Sequence, residues 1–268
     1  MSKVKIKIDS KNFIIDISEP LDISIPYNFD GEQPNFFDVE PGSIAPLVYD
    51  NISYDGSSGC NVPIFNINIH CTGTHTETIG HILDDRKFPL NSILPVNFLT
   101  ALVITIEPSL FIDSNESYHT DIDNSERVIT CSDIKEKIES LRDISSNVLI
   151  IRTLPNCKDK MFNKYIGNMH PFFTSEAIRF ISSLGIQHLI VDTPSIDRAD
   201  DGAQLLNHKI FWNIEGSTDN KLLNRTITEL CFIHNYISDG HYLIQFLFPN
   251  FVSHVAPTRP ILYKCRYD

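Results

Sequence analysis

The stretch that decides this chain's organisation is HCTGTHTETIGH, residues 70–81. It places three imidazoles, one thiol and one carboxylate in a single short run. In an extended strand alternate side chains share a face, so Cys71, Gly73, His75 and Glu77 are expected to project together. Gly73 would leave that face open, allowing a ligand or an ion to lie close to the backbone.

The spacing of this stretch suits a metal. His75 and Glu77, two residues apart, are placed to bind one divalent cation through nitrogen and oxygen. His81 follows Gly80, where the chain can turn and bring a further imidazole towards the same place. A single histidine on a strand is more often a structural residue than a ligand, so spacing alone leaves a metal or catalytic site and a structural role as equal alternatives.

Two residues compete for the position of the first ligand. A regular strand puts Cys71 on the face of His75 and turns His70 away, and thiolate is a good zinc ligand. Cys71 also ends an apolar alternation that starts at Phe65, so it can be explained as a small buried hydrophobe. The alternation favours Cys71 over His70 as the ligand and leaves both open.

Length and charge bound the class of protein. The chain has 268 residues, enough for a sizeable core. Its 22 basic and 34 acidic side chains give a formal net charge of −12. That balance argues against binding nucleic acid without sequence preference, which needs a basic face, and against binding an anionic membrane surface.

The cysteines and the N-terminus predict a cytoplasmic protein. The six cysteines are scattered without a C-x-x-C pair, so free thiols in a reducing compartment are expected. The first residues alternate and are charged, unlike the apolar core of a signal peptide. No run reaches the roughly 18 apolar residues that a membrane helix requires.

Strand-like and helix-like segments alternate, which predicts an α/β fold in a single domain over residues 1–268. Residues 27–58 are expected to form a long ordered loop, whose Phe29, Phe36 and Phe37 could line a pocket. Ser132 is expected to cap one helix and Gly185 to end another. The predicted helices are 133–141 and 175–184, and the predicted strands are 4–8, 13–15, 101–106, 147–153, 188–192, 226–233 and 242–248.

Glu229 is the second unusual carboxylate. It shares a strand face with Ile227, Cys231 and Ile233, so alternation places it in an apolar row. A buried unpaired carboxylate is costly, and the usual remedy is a metal, a cationic partner or protonation. The alternative is an edge strand whose glutamate reaches water.

Residues 73–81 resemble the signature of the cyclase family, which includes bacterial kynurenine formamidases and isatin hydrolases. The family pattern is H-x-G-T-H-x-D-x-P-x-H. Here Cys71 stands at the first histidine with His70 one place early, Glu77 replaces the aspartate, and Ile79 replaces the proline. A second block, DTPSID at residues 192–197, resembles the family's D-T-x-S-x-D, and its two aspartates are interpreted as orienting the turn.

The resemblance implies the family's β/β/α fold, assembled as a homodimer or homotetramer, and a metal-dependent hydrolase of the arylformamidase type. Its substrate would be an amide, N-formyl or lactam group of a small molecule. The implied ion is zinc or manganese, with zinc favoured if thiolate binds. Its implied ligands are Cys71, His75, Glu77 and Glu229. Implied catalytic residues are His81, for proton transfer, and His208, which would steady the oxyanion.

Two alternative functions stay open at this level. One is a non-catalytic scaffold with a degraded metal site that binds a small molecule. The other is a cyclase or dehydratase that acts on a ring substrate through His81 and Glu229. Measuring the metal content distinguishes the scaffold from a hydrolase. Testing a panel of substrates distinguishes the cyclase or dehydratase from a hydrolase.

Overall fold

The computed structural model describes residues 3–83, 85–141, 146–166, 170–214 and 220–267. In chain order its helices are α1 (Ile69–Thr72), α2 (Leu90–Ile93), α3 (Cys131–Leu141), α4 (Ser175–Ser183), α5 (Leu206–Trp212) and α6 (Asn220–Leu223). Its strands are β1 (Lys3–Ile8), β2 (Lys11–Asp16), β3 (Leu21–Asp22), β4 (Asn35–Phe36), β5 (Ser43–Tyr49), β6 (Ile52–Tyr54), β7 (Pro63–Asn66), β8 (His75–Thr78), β9 (Leu99–Ile106), β10 (Ser109–Leu110), β11 (Arg127–Ile129), β12 (Val148–Thr153), β13 (Lys164–Tyr165), β14 (Phe172–Phe173), β15 (His188–Val191), β16 (Thr226–Glu229), β17 (Gly240–Leu247), β18 (Val255–Pro257) and β19 (Arg259–Tyr267).

The continuous apolar runs become the centre of a mixed sheet. Strands β9, β12, β15 and β16 run parallel, and β17 and β8 pair antiparallel on either side. Every residue of β12 is buried, as expected for a parallel strand covered on both faces. The full order is β1-β2-β19-β17-β9-β12-β15-β16-β8-β18, with β3 paired to β19. The predicted α/β class is confirmed.

Helices α3, α4 and α5 cover one face of this sheet. Ile134, Ile181 and Trp212, one from each helix, are buried in a common core with strand residues such as Leu149. On the other face Leu90 and Ile23 pack in a second core with Val148 and Ile244. Full burial of one such side chain stabilises the fold by about 1.5–3 kcal/mol.

The ends of the two longer helices follow local side-chain chemistry. Gly185, with φ +76°, follows α4 as predicted. At its start Thr174 Oγ1 accepts a hydrogen bond from Ala177 N, at 3.1 Å. The predicted cap Ser132 was wrong, because α3 already begins at Cys131 and Thr130 Oγ1 accepts from Asp133 N, at 3.1 Å.

The loop prediction for residues 27–58 was wrong in its second half. Strand β5 pairs with β6 and β7 in a separate sheet. Asp50 and Asn51 connect β5 to β6 with φ +51° and +63°. Positive φ at both residues of a two-residue connection is what a tight hairpin requires, and Asp and Asn tolerate it.

Two strand predictions also ended at the wrong residue. The chain from residue 69 to 72 is helical turn α1, and Phe65 before it is 55% exposed, so no buried apolar row continues into Cys71. Strand β16 ends at Glu229, because Leu230 turns the chain with φ +53°.

All six cysteines are free thiols. Within the part of the chain that the structure describes, no helix has the length and apolar content needed to cross a membrane.

Candidate metal centre

Two paired strands build the floor of the site. His75 and Glu77 share a face of β8, and the antiparallel register sets Glu229 of β16 directly opposite His75. His75 Nε2 consequently lies 3.5 Å from Glu229 Oε2. All three side chains are buried. The tertiary fold thus joins two predicted ligands from one stretch to a third from a distant strand.

Glu77 is the centre of the site. Its Oε1 lies 2.9 Å from Nε2 of His208, which α5 supplies. Its Oε2 lies 3.2 Å from Nδ1 of His70 and 3.6 Å from Nδ1 of His81. One buried carboxylate therefore faces three imidazoles, since Oε1 faces one of them and Oε2 faces the other two.

The two fully buried imidazoles are held by their other nitrogen. His75 Nδ1 is 3.0 Å from the main-chain oxygen of Gly73, and His208 Nδ1 is 2.6 Å from Asp197 Oδ2. Asp197 is fixed in turn by the hydroxyl of Tyr118, which donates to Oδ1 at 2.8 Å. Both rings are thereby oriented with Nε2 towards the carboxylates, as in metal sites where a second contact orients the ligand.

Asp192 and Asp197 were interpreted as residues that orient the turn, and their contacts differ. Asp192 accepts hydrogen bonds from Thr153 and from Lys160 Nζ, at 2.8 Å for the latter. Asp197 accepts from Asn207 N, at 2.9 Å, and also holds His208. Only Asp197 thus orients a side chain of the metal centre directly.

The donor atoms fit a cation. His75 Nε2, His208 Nε2 and both carboxylate oxygens of Glu77 are buried without a hydrogen-bond partner. Three groups of ligand atoms lie within 4.8 Å of one another: His70, His75 and Glu77; Glu77, His208 and Glu229; and His70, His81 and His254. Orphaned buried polar atoms are costly, and converging imidazole and carboxylate donors are the usual ligands of transition metals.

The electrostatics of the site also attract a cation. Burial alone would raise the pKa of Glu77, but His81, His208 and His70 hold it well below its usual value. Burial likewise opposes ionisation of Glu229, yet His208 and His75 lower its pKa. For His208, Asp197 and the two glutamates overcome the effect of burial and raise the pKa well above the usual value. The carboxylates are therefore ionised at neutral pH, and either the His208 imidazolium or a cation that displaces its proton balances their charge.

The preference for Cys71 as first ligand loses its geometric basis. It depended on an extended strand through residues 69–72, where the chain is helical. The turn places His70 beside Glu77 and packs Cys71 among Phe36, Tyr165 and Leu230. Burial, followed by the charge of Glu229, raises the pKa of the Cys71 thiol to about 11. None of the three ligand groups found among the described residues includes Cys71.

A cavity of about 300 Å³ opens onto the centre. Its wall includes Phe36 and Phe37, as predicted, whereas Phe29 packs on Phe65 with ring centroids 5.0 Å apart. His81 lines the same cavity. Glu77 favours protonation of His81, but burial, His208 and His70 lower its pKa to about 4, so the imidazole is neutral at pH 7.

The space beside Gly73 is filled by the protein itself. A Cβ at this position would lie 2.7 Å from the ring of Tyr27, whose hydroxyl donates to the main-chain oxygen of Ile69 at 2.9 Å. The expectation that Gly73 leaves room for a ligand was therefore wrong. The glycine instead allows Tyr27 to pack against the strand end that carries His75.

His254 was not among the predicted site residues. Its Nε2 lies 3.1 Å from Nε2 of His70, at the edge of the site. No spacing links it to residues 70–81, because it comes from the segment just before β18. No motif described above includes it, so the sequence offered no signal for this residue.

Comparisons with known proteins identify the family of the chain. The Cyclase family model matches residues 15–198. The chain is 27% identical over 197 residues to a kynurenine formamidase from Bacillus cereus, covering 74% of this chain and 76% of the relative. It is 26% identical over 226 residues to a kynurenine formamidase from Bacillus anthracis, covering 84% and 87%.

Solved structures share the fold. An isatin hydrolase bound to the product analogue thioisatinate superposes with a TM-score of 0.64 at 12% identity, covering 92% of this chain and 93% of the other. A predicted metal-dependent hydrolase from Bacillus stearothermophilus superposes with a TM-score of 0.56 at 16% identity, covering 91% and 98%.

Proposed function

This chain belongs to the Cyclase family, and from that premise we propose that it is a metal-dependent hydrolase of a C–N bond in a small molecule. The observation that carries the proposal is Glu77, whose two buried oxygens face His208 Nε2 and His70 Nδ1, at 2.9 and 3.2 Å. The bond cleaved belongs to an N-formyl, amide or lactam group. The relatives named kynurenine formamidase support the N-formyl group on an aromatic amine.

We propose five ligand residues, which are His70, His75, Glu77, His208 and Glu229. His70 replaces Cys71 because it is His70 that faces Glu77 Oε2. His208 is a ligand rather than an oxyanion donor, since its Nε2 lies between Glu77 Oε1 and Glu229 Oε1, at 2.9 and 3.5 Å. Imidazole and carboxylate donors suit zinc or manganese. When bound, the ion supplies Lewis acidity, which polarises a carbonyl oxygen and lowers the pKa of water.

The protein's own groups supply positioning and proton transfer. Phe36 and Phe37 offer aromatic faces on which a planar substrate can stack. His81 lies on the cavity wall with its Nδ1 3.6 Å from Glu77 Oε2, and an imidazole in this position can accept the proton of the attacking water and return it to the leaving nitrogen.

We also propose a cytoplasmic homodimer or homotetramer. The sheet of β5, β6 and β7 exposes a group of large apolar side chains, and such a patch is typical of a subunit interface. Ile44 lies opposite Phe65 in this sheet and shares its face with Val48, and the three side chains are 43%, 55% and 63% exposed. Light scattering of the purified protein measures the assembly, and a monomer at micromolar concentration would contradict it.

The first experiment is metal analysis by mass spectrometry, with His75→Ala beside the wild type. We expect one or two equivalents of zinc or manganese in the wild type, and loss of both metal and activity in the variant, because His75 is fully buried between Glu229 and Gly73 O. His234→Ala, which removes an imidazole outside the three ligand groups, is the matched control.

A metal-replete, active His75→Ala protein would contradict the proposal. A wild type that binds no metal after reconstitution would favour the binding scaffold instead. An N-aryl formamide, a simple anilide and isatin then form the substrate panel for the reconstituted enzyme. Hydrolysis of none of them, with dehydration of a ring substrate, would favour the cyclase or dehydratase alternative.

A further inference from the structure

His254 lies beside the metal centre and has no part in the function proposed above. It stands directly before β18, and its main-chain oxygen accepts a hydrogen bond from Thr78 N, at 3.0 Å. Thr78 ends β8, the strand that carries His75 and Glu77. The position of the His254 main chain is therefore coupled to the same strand as two of the proposed ligands.

The His254 ring meets His70 edge to edge. The Nε2 atoms are 3.1 Å apart, the ring centroids are 5.3 Å apart, and the ring planes differ by 22°. The centroid separation exceeds the nitrogen separation by about the width of one imidazole ring, which places the two nitrogens on the line between the rings. This is the arrangement of an N–H···N hydrogen bond, in which one Nε2 donates and the other accepts.

The other proposed imidazole ligands show what such a contact does. In His75 and His208 one nitrogen faces the carboxylates, and Nδ1 is held by Gly73 O or by Asp197. Metal-binding histidines commonly donate their second N–H in this way, which fixes both the tautomer and the ring orientation. His70 follows the same pattern with its nitrogens exchanged, since Nδ1 faces Glu77 Oε2 at 3.2 Å and Nε2 faces His254.

We infer that His254 is a positioning residue, which accepts the Nε2–H of His70 and thereby turns Nδ1 of His70 towards the metal. This inference rests on the proposed function. It assigns the shared proton of this contact to Nε2 of His70, with Nε2 of His254 as the acceptor. It also explains how a half-buried histidine, 28% exposed, can serve as a ligand beside fully buried ones.

A cation bound by three imidazoles is the alternative arrangement, and the experiment below distinguishes it from a positioning role of His254. His70, His81 and His254 also form a group of three ligand atoms within 4.8 Å. A cation bound there would use the lone pair of His70 Nε2 and would leave a proton on Nδ1, facing Glu77. Such a cation would be an additional equivalent that depends on His254.

The experiment measures zinc affinity by competition with a chromophoric chelator, using the full-length protein. His254→Leu should weaken binding about 10- to 100-fold, the usual effect of removing a group that orients a ligand. His254→Gln should restore most of the affinity, because its amide oxygen can accept the same N–H. His234→Leu removes an imidazole elsewhere and should bind zinc like the wild type.

A second measurement reports the tautomer directly. In ¹⁵N-histidine NMR spectra of the zinc-loaded protein, the Nε2 of His70 should carry the proton in the wild type and in His254→Gln. Unchanged zinc affinity in a folded His254→Leu protein, or a proton on Nδ1 of His70, would overturn the inference alone. One zinc equivalent lost in His254→Leu, with unchanged affinity for the rest, would replace it by the three-imidazole site. Absence of zinc binding in the wild type would overturn the proposed function as well.

Discussion

Gly73 shows how a single residue joins the packing of the fold to the metal centre. Its missing Cβ admits the ring of Tyr27, and its carbonyl oxygen holds Nδ1 of His75. Its φ of 178° is ordinary extended backbone, so conformational freedom is not the reason for glycine here. The reason is the close approach of an aromatic ring to the strand end.

Gly73→Ala should therefore destabilise the protein and weaken metal binding together. The new methyl group would lie 2.7 Å from the Tyr27 ring, so the ring or the strand end must move. Overpacking of this kind costs roughly 1–3 kcal/mol. Urea unfolding and zinc titration measure the two effects.

The double variant tests the cause. A Tyr27→Ala background removes the ring that the new methyl group would meet, so Gly73→Ala should cost much less there. Equal costs in the two backgrounds would show that the ring contact is not the reason for glycine.

At the scale of one element, the start of α4 is joined to the start of α3 through Glu116, which lies in the segment between β10 and β11. Thr174 Oγ1 accepts from Ala177 N, at 3.1 Å, and donates to Glu116 Oε2, at 2.6 Å. The same glutamate accepts from Cys131 N at the start of α3, at 2.7 Å. One hydroxyl thus takes part in fixing the first turns of two neighbouring helices.

Thr174→Ala should lower the free energy of unfolding by about 1–2 kcal/mol, the usual cost of losing a helix cap. Thr174 is fully buried, so water cannot readily replace the hydroxyl. Thr174→Ser keeps the hydroxyl and should lose little. Chemical denaturation of the three proteins measures the difference, and a Thr174→Ser protein as unstable as Thr174→Ala would assign the loss to the methyl group instead.

At the scale of the whole molecule, buried histidines outside the proposed ligand set make stability depend on pH. His188 lies in β15, where its Nδ1 is 2.9 Å from Thr226 Oγ1. Burial lowers its pKa from 6.5 to about 4. Burial, opposed by Glu229, also lowers the pKa of His170 to about 4.

The native state consequently binds fewer protons than the unfolded chain between pH 6.5 and 4. Stability should be full above pH 6.5 and fall as the pH decreases through this window, with His188 accounting for about 3 kcal/mol. Unfolding of wild type and His188→Gln by urea at pH 7, 6 and 5 measures this contribution. His188→Gln should show a shallower loss, and parallel curves for the two proteins would contradict the assignment.

The sequence by itself determined what is periodic or local. Apolar runs predicted the central strands, because a parallel strand buried on both faces must be continuously apolar. Gly185 predicted the end of α4. His75 and Glu77 were predicted to share a face because strand side chains alternate. Since they are two residues apart in one strand, this placement does not depend on distant contacts.

Only the tertiary structure decided what depends on distant contacts. A four-residue helix such as α1 has no stability of its own, so packing rather than propensity made residues 69–72 helical and brought His70, not Cys71, to Glu77. The pairing of β8 with β16 set Glu229 opposite His75. Helix α5 placed His208 beside Glu77. His254, directly before β18, contacts His70. The periodicity of a sequence does not encode which distant segments come into contact.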